Sequence, residues 1–214
     1  SGSGKSTLLR HLMALETKTS GTMRVLGSNI DDLNGREFVD LRKKLGVAFQ
    51  GGALFSSLTV GENVMLPLYE HTSLDRKTME IMARMKLEVV ELGGFEDLMP
   101  AELSGGMIKR AAFARAMVMD PRIMFCDEPS AGLDPAVASA LDDLILRLRD
   151  AMGMSIVVDS VVLCRLGTIV DETSLRCITK VWFLAVPECK KLICQMNSYY
   201  HRKSKIQTSV IVQA

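Results

Sequence analysis

Apolar residues along most of this chain follow two rhythms, one suited to helices and one to short buried strands. Leu8, Leu9, Leu12, Met13 and Leu15 fall at helical spacing, which predicts a helix from Lys5 to about Leu15. Residues 21–26 and 45–49 read as strands, with Gly27, Asn34 and Gly35 as turn residues between them. From Thr59 to about Met119 the pattern turns mostly helical, broken at Gly93-Gly94 and Pro100. Met79, Met82 and Met85 are apolar positions of one segment there, and methionine at helical spacing is ordinary core filler. A buried strand follows at 122–126, then a helix from about Pro135 to Met152 and a strand at 155–158. Strand, helix, strand in that order implies parallel pairing, so the expectation is an α/β core carrying a helical insertion.

Beyond about Val158 the character changes. The only Trp, two of the three Tyr and four of the five Cys lie there, and from Val162 to Ala214 eight bases stand against three acids. The tail reads either as a small divergent subdomain or as sequence joined from another reading frame. No internal repeat or heptad register is present. With 48% apolar residues and a net charge of +1, the chain can bury a substantial core and has no overall field to recruit nucleic acid. The apolar run 181–186 falls far short of the roughly 20 residues a spanning helix needs, and no signal-peptide pattern opens the chain, so any membrane role is expected to be peripheral. An odd, unevenly spaced cysteine set fits a reducing cytosol, with Cys126 as a small buried thiol.

Three short segments carry chemistry. Ser1-Gly2-Ser3-Gly4-Lys5-Ser6-Thr7 is most of a G-x-x-x-x-G-K-[ST] loop running into a helix. In such a loop glycines let backbone N–H groups approach phosphates, Lys5 neutralises β and γ oxygens, Ser6 ligates Mg²⁺, and Gly2, Gly4 and Thr7 supply further hydrogen bonds. Its first glycine should lie two residues upstream of Ser1, which predicts a fragment lacking a leading strand. Asp127 and Glu128 end an apolar strand, at the carboxyl edge of a parallel sheet where ligands bind. There Asp127 would hold Mg²⁺ and Glu128 would act as general base on a lytic water. Ser104, Gly105 and Gly106 lead into a helix near Met107, giving a second helix N-terminus for a phosphate.

The loop, Gln50, Leu103-Ser104-Gly105-Gly106-Met107, Asp127-Glu128 and Leu133-Asp134-Pro135, in this order and spacing, resemble the nucleotide-binding subunit of ABC transporters. The resemblance covers about residues 1–158. It implies a P-loop NTPase (RecA-like) core of 1–58 and 118–160, an inserted helical subdomain of 59–117 bearing the signature, and an unassigned divergent tail of 161–214. It also implies ATP and Mg²⁺ as ligands and a head-to-tail homodimer in which ATP on Lys5 of one copy is capped by Ser104 and Gly106 of the other. By the same resemblance Gln50 contacts metal and water, and Asp134 lies at the dimer seam. The run from Phe49 to Val60, with Glu62-Asn63-Val64, Pro67-Leu68 and Met107, is similar to the Mla-type branch, ATPases of bacterial phospholipid trafficking, also known through toluene tolerance. That branch implies an integral-membrane permease docking on the insertion around Tyr69 and His71, a lipid-binding substrate protein, and a cytoplasmic position against the inner membrane.

One departure matters. The family places a histidine just after the last core strand, which in register falls at or beside Val161, and none is there. The expectation is therefore poor Mg-ATP binding and slow or absent hydrolysis, and the alternative reading is a truncated, non-catalytic ABC-like module.

Overall fold

The computed structural model describes residues 10–13, 15–16, 22–159, 175–178, 181–184 and 209–212. Its centre is a sheet ordered β3-β4-β5-β7-β6, in which β3 (Leu45–Ala48), β4 (Ile123–Asp127) and β5 (Ser155–Asp159) run parallel. β7 (Val181–Leu184) joins β5 antiparallel and β6 (Leu175–Ile178) joins β7 antiparallel. A smaller sheet, ordered β2-β1-β8, combines a hairpin of β1 (Thr22–Val25) and β2 (Ser28–Asn29) with β8 (Ser209–Val212), which pairs with β1 in parallel. The hairpin turns at Leu26-Gly27, both with positive φ, as a two-residue connection requires. Residues of the tail thus extend both sheets.

The parallel strands are apolar on both faces because both faces are covered. Met124, Cys126, Ile156 and Val158 point into one buried cluster, and Ile123, Phe125 and Val157 point into another. The alternation follows from the two-residue period of a strand. Burying Phe125 alone is worth about 1.5–3 kcal/mol. Cys126 is fully buried, which pushes its thiol well above the ordinary value. It is a packing residue, as its strand position predicts.

One layer is built from α2 (Val60–His71), α3 (Arg76–Val89), α4 (Gly105–Met117) and α5 (Pro135–Met152), whose buried residues share the first cluster. The other face meets α1 (Gly35–Lys43) through Leu41, residues Leu12 and Met13 at the end of an earlier helical segment, and β1. The starts of α2, α3 and α4 are each set by a side chain that satisfies otherwise orphaned N–H groups. Thr59 and Glu62 form a reciprocal capping box on α2, Asp75 caps α3 through Thr78 N, and Ser104 Oγ accepts from Met107 N at 3.3 Å. Pro135 begins α5, and Gly153 closes it with φ 62°.

Two expectations need correction. Asn34 and Gly35 are not merely turn residues: the Asn34 side chain accepts from Arg36 N at 3.0 Å and Glu37 N at 3.1 Å, and Glu37 accepts from Asn34 N at 3.0 Å, which starts α1. Met85 is not core filler. It is 59% exposed, beside Ile81 at 54%, whereas Met79 is buried as predicted.

Two local locks hold the segments around the sheet edge. Asn63, fully buried on α2, accepts from Phe55 N at 2.7 Å and shares its two N–H donors among the carbonyls of Phe55, Leu58 and Thr59. After β4, Ser130 Oγ donates to Asp142 Oδ1 of α5 at 2.7 Å. Burial raises the Asp142 pKa above its ordinary value of 3.8; the Ser130 hydrogen bond opposes this and the Asp143 carboxylate adds to it.

Asn63→Ala removes the partner of the Phe55 N–H and of the Leu58 carbonyl, while the Phe55 and Thr59 carbonyls keep the backbone N–H groups of Leu58 and Asn63; the cost is about 1–3 kcal/mol for each group left buried and unpaired. A loss on the order of 3 kcal/mol in urea unfolding is expected, and a loss below about 1 kcal/mol would show that the loop relaxes to water instead. For Asp142 the raised folded pKa means that its contribution to stability is fully present below the unfolded value and is lost as pH rises through the folded value. Asp142→Asn keeps an acceptor for Ser130 without the charge. Its melting temperature should therefore exceed the parent's at neutral pH, with the gap closing as the pH is lowered; a gap that widens in acid would contradict the burial argument.

Candidate functional site

β3 and β4 are held in register from Leu45 opposite Ile123 to Ala48 opposite Cys126. The residues just past their carboxyl ends therefore emerge side by side. Gln50 follows β3 by two residues, Asp127 ends β4 and Glu128 comes next, so residues 78 apart in sequence meet: Gln50 Nε2 donates to Glu128 Oε2 at 3.2 Å. Gln50 is exposed and both acids are half-buried, so the pair opens to solvent over an apolar floor. Glu128 has φ 42°, a left-handed conformation that few non-glycine residues adopt, and it sits where the chain turns sharply from strand to loop. The amide bonded to Glu128 retains its own carbonyl oxygen as an acceptor.

Beneath this pair lies Lys109, on α4 and only 7% exposed. Its ammonium donates to the carbonyl of Gln50. Burial draws the Lys109 pKa below the ordinary value, and the negative charges of Asp127 and then Glu128 pull it back up. One turn and a half further along α4, Arg115 donates to the carbonyls of Gly52 at 2.8 Å and Ala53 at 2.7 Å. Gly52 has φ 75°, and a Cβ there would lie 2.7 Å from Cγ2 of Ile108. The loop after β3 is thus pressed against α4 closely enough that a side chain at 52 has no room.

Ser104, at the start of α4, is exposed, and its hydroxyl is used by its own helix. A Cβ on Gly105 would lie 3.5 Å from Leu133 Cδ2, and one on Gly106 would lie 2.7 Å from Val137 Cγ1. Only at 106 does a side chain have no room: Gly106 lets the start of α4 pack against Val137 in the first turn of α5, with Asp134 exposed at the head of that helix. Among the sequence-predicted residues, the structure brings together Gln50, Asp127 and Glu128 as one group and Ser104, Gly105, Gly106 and Asp134 as another. Ser1, Gly2, Ser3, Gly4, Lys5, Ser6 and Thr7 lie outside the described residues, as does Val161.

Sequence reading overlooked Lys109 and Arg115, and it named Asn63 without its role in holding the loop. The signal for the first two was present: with Arg110 they are three cations in a helix whose other positions, from Ile108 to Met117, are all apolar or small. A charge in such a helix must find partners inside the fold.

With this geometry in view, the similarities of the chain fall into one family. Residues 1–131 match the model of the ABC transporter family, ABC_tran. The intermembrane phospholipid transport ATP-binding protein MlaF of Escherichia coli K12 is 42% identical over 160 residues, covering 75% of this chain and 60% of that protein. A probable ribonucleotide transport ATP-binding protein, mkl, of Mycobacterium leprae is 40% identical over 158 residues, covering 74% of this chain and 46% of that one. The chain thus spans roughly half the length of these curated relatives. In structure it is similar to the ATP-binding cassette MJ0796 in a dimeric, post-hydrolysis state bound to ADP and Pi, with a TM-score of 0.67 and 32% identity over 75% of this chain and 71% of that one. It is also similar to cbiO1 of Clostridium perfringens, with a TM-score of 0.66 and 28% identity over 75% and 64% of the two chains. The parallel sheet, the carboxylate pair at its edge, the serine-glycine helix start and these similarities establish that the chain belongs to the ABC transporter ATP-binding family, with its α/β P-loop NTPase fold.

Proposed function

We propose that this chain binds Mg-ATP and hydrolyses it as one half of a head-to-tail homodimer, and that hydrolysis drives phospholipid transport by an integral-membrane permease. The observation that carries the reading is the Gln50–Glu128 contact at the end of β4. Glu128 accepts one hydrogen bond from Gln50 and has a second carboxylate oxygen with which to take a proton from water. Gln50, fixed on the adjacent strand end, orients that water. Lys5 and the backbone of Gly2 and Gly4 would hold the phosphates, with Ser1, Ser3 and Thr7 completing the loop. Ser6, Gln50 and Asp127 offer a hydroxyl, an amide oxygen and a carboxylate, the all-oxygen donor set that suits a small hard dication. Mg²⁺ held there would offset charge on the phosphates.

The exposed start of α4 suits a capping role across a dimer: Ser104, Gly105 and Gly106 present a helix N-terminus outward, with Asp134 beside them at the proposed seam. The cassette described as dimeric and bound to ADP and Pi supports this pairing. We divide the chain into a nucleotide-binding core of 1–58 and 118–160 and a helical subdomain of 59–117, on the ground that α2, α3 and α4 pack on one another. Phospholipid as cargo is supported by the MlaF proteins, at 41% identity for Haemophilus influenzae and 42% for Escherichia coli K12, together with the Phe49–Val60 segment. A relative named for ribonucleotide transport stands nearly as near, so cargo is the finer part of the proposal. Among the described residues no helix is long and apolar enough to cross a membrane. The chain would act from the cytoplasmic face of the inner membrane through its permease, with a lipid-binding substrate protein as a further partner and nucleic acid as none.

The absence of a histidine at or beside Val161 favours a second reading, in which the chain binds its partners without turnover. Val161→His separates the two. Under the ATPase reading it should raise turnover of the purified chain by about 10²-fold or more, the scale of one acid-base group, and adding Glu128→Gln should remove that gain. Val161→His without effect on a chain that still binds its permease would favour the non-catalytic module. A gain that survives Glu128→Gln would remove Glu128 from its role as base.

A further inference from the structure

The loop bearing Gln50 is gripped from below by two cations of one helix. Lys109 takes the carbonyl of Gln50, and Arg115 takes those of Gly52 and Ala53. Both side chains pay a desolvation cost to stand there, which for Lys109 the field of Asp127 and Glu128 offsets only in part. Backbone carbonyls are modest compensation for a buried ammonium, so an apolar side chain of similar length would pack as well or better at 109. Stability alone does not account for the lysine.

Its surroundings do. The ammonium lies in the field of Asp127 and Glu128, and the carbonyl it holds belongs to the residue whose side chain contacts Glu128. We propose that Lys109 is a positioning residue for hydrolysis: with Arg115 it clamps the 50–53 loop onto α4, so that the Gln50 amide meets Glu128 and moves with the helix that begins at Ser104. Ser104 and Lys109 lie five residues apart on one rigid helix, roughly 7–8 Å along its axis. A shift of the serine end, where a second copy would press, is therefore passed to Gln50 as a rigid displacement. This inference rests on the ATPase reading for its purpose, while the clamp itself stands on the contacts.

The test compares the full chain with Lys109→Met, which keeps length and loses charge, and Lys109→Arg, which keeps charge. Amide hydrogen exchange across residues 49–53, measured without nucleotide, should quicken at least about 10-fold in Lys109→Met and stay near the parent in Lys109→Arg. The melting temperature of Lys109→Met should equal or exceed the parent's, as expected when a buried charge gives way to a packed apolar chain. Its turnover should fall at least about 10-fold. Unaltered exchange at 49–53 overturns the proposal. So does a Lys109→Met chain that melts lower or fails to fold, because that assigns the lysine a structural role. A parent unable to turn over ATP would count against the ATPase reading alone, since the exchange comparison still decides the clamp.

Discussion

Three parallel strands in register are the constraint on which the site depends. Ala48 stands opposite Cys126, and Cys126 opposite Val158, so the chain leaves the sheet at one edge after each strand. With both faces of the sheet buried, a slip of one residue would turn Met124, Cys126, Ile156 and Val158 away from one cluster and Ile123, Phe125 and Val157 away from the other. That cost fixes the register, and the register fixes where Gln50 and the two carboxylates emerge. The polar contact between Gln50 and Glu128 is exposed and weak by itself; its precision is borrowed from the apolar packing beneath.

α4 is the second organising element. Its start packs closely on Val137 of α5 because residue 106 is glycine, and its middle carries the cations that hold the loop after β3. A further contact, from Arg110 to Glu91, ties the same helix to the segment after α3, and Arg147 of α5 reaches the other oxygen of Glu91 at 2.7 Å. Both arginines hold the Glu91 carboxyl below its ordinary value, Arg110 most strongly. One helix therefore joins the loop of Gln50, the helical layer and the helix after β4. Family membership explains why such parts occur together; the contacts explain how they are held at fixed distances.

Much of this was legible in the amino-acid order. α5 was readable to both ends because Pro135 and Gly153 are physical start and stop signals around a regular apolar stripe. β4 and β5 were readable as continuous apolar runs followed, for β4, by two acids. α1 was missed because it buries only Leu41, which leaves no stripe to recognise, and because Asn34 serves equally as a turn residue or as a cap. Met85 was misassigned since helical spacing identifies a face, and only the neighbours of α3 decide which face is covered.

By itself the sequence determined which chemical groups are present and how they are spaced locally: a lysine-serine loop, a serine-glycine helix start, and an acid pair ending a strand. These are short-range properties, governed by backbone preference and by side chains within a turn or two of each other. Tertiary structure alone decided that Gln50 meets Glu128 across 78 residues and that Lys109 reaches back 59 residues to the carbonyl of Gln50. Such contacts depend on how whole elements pack, and the packing is set by summed apolar burial over both faces of the sheet, which no local pattern encodes.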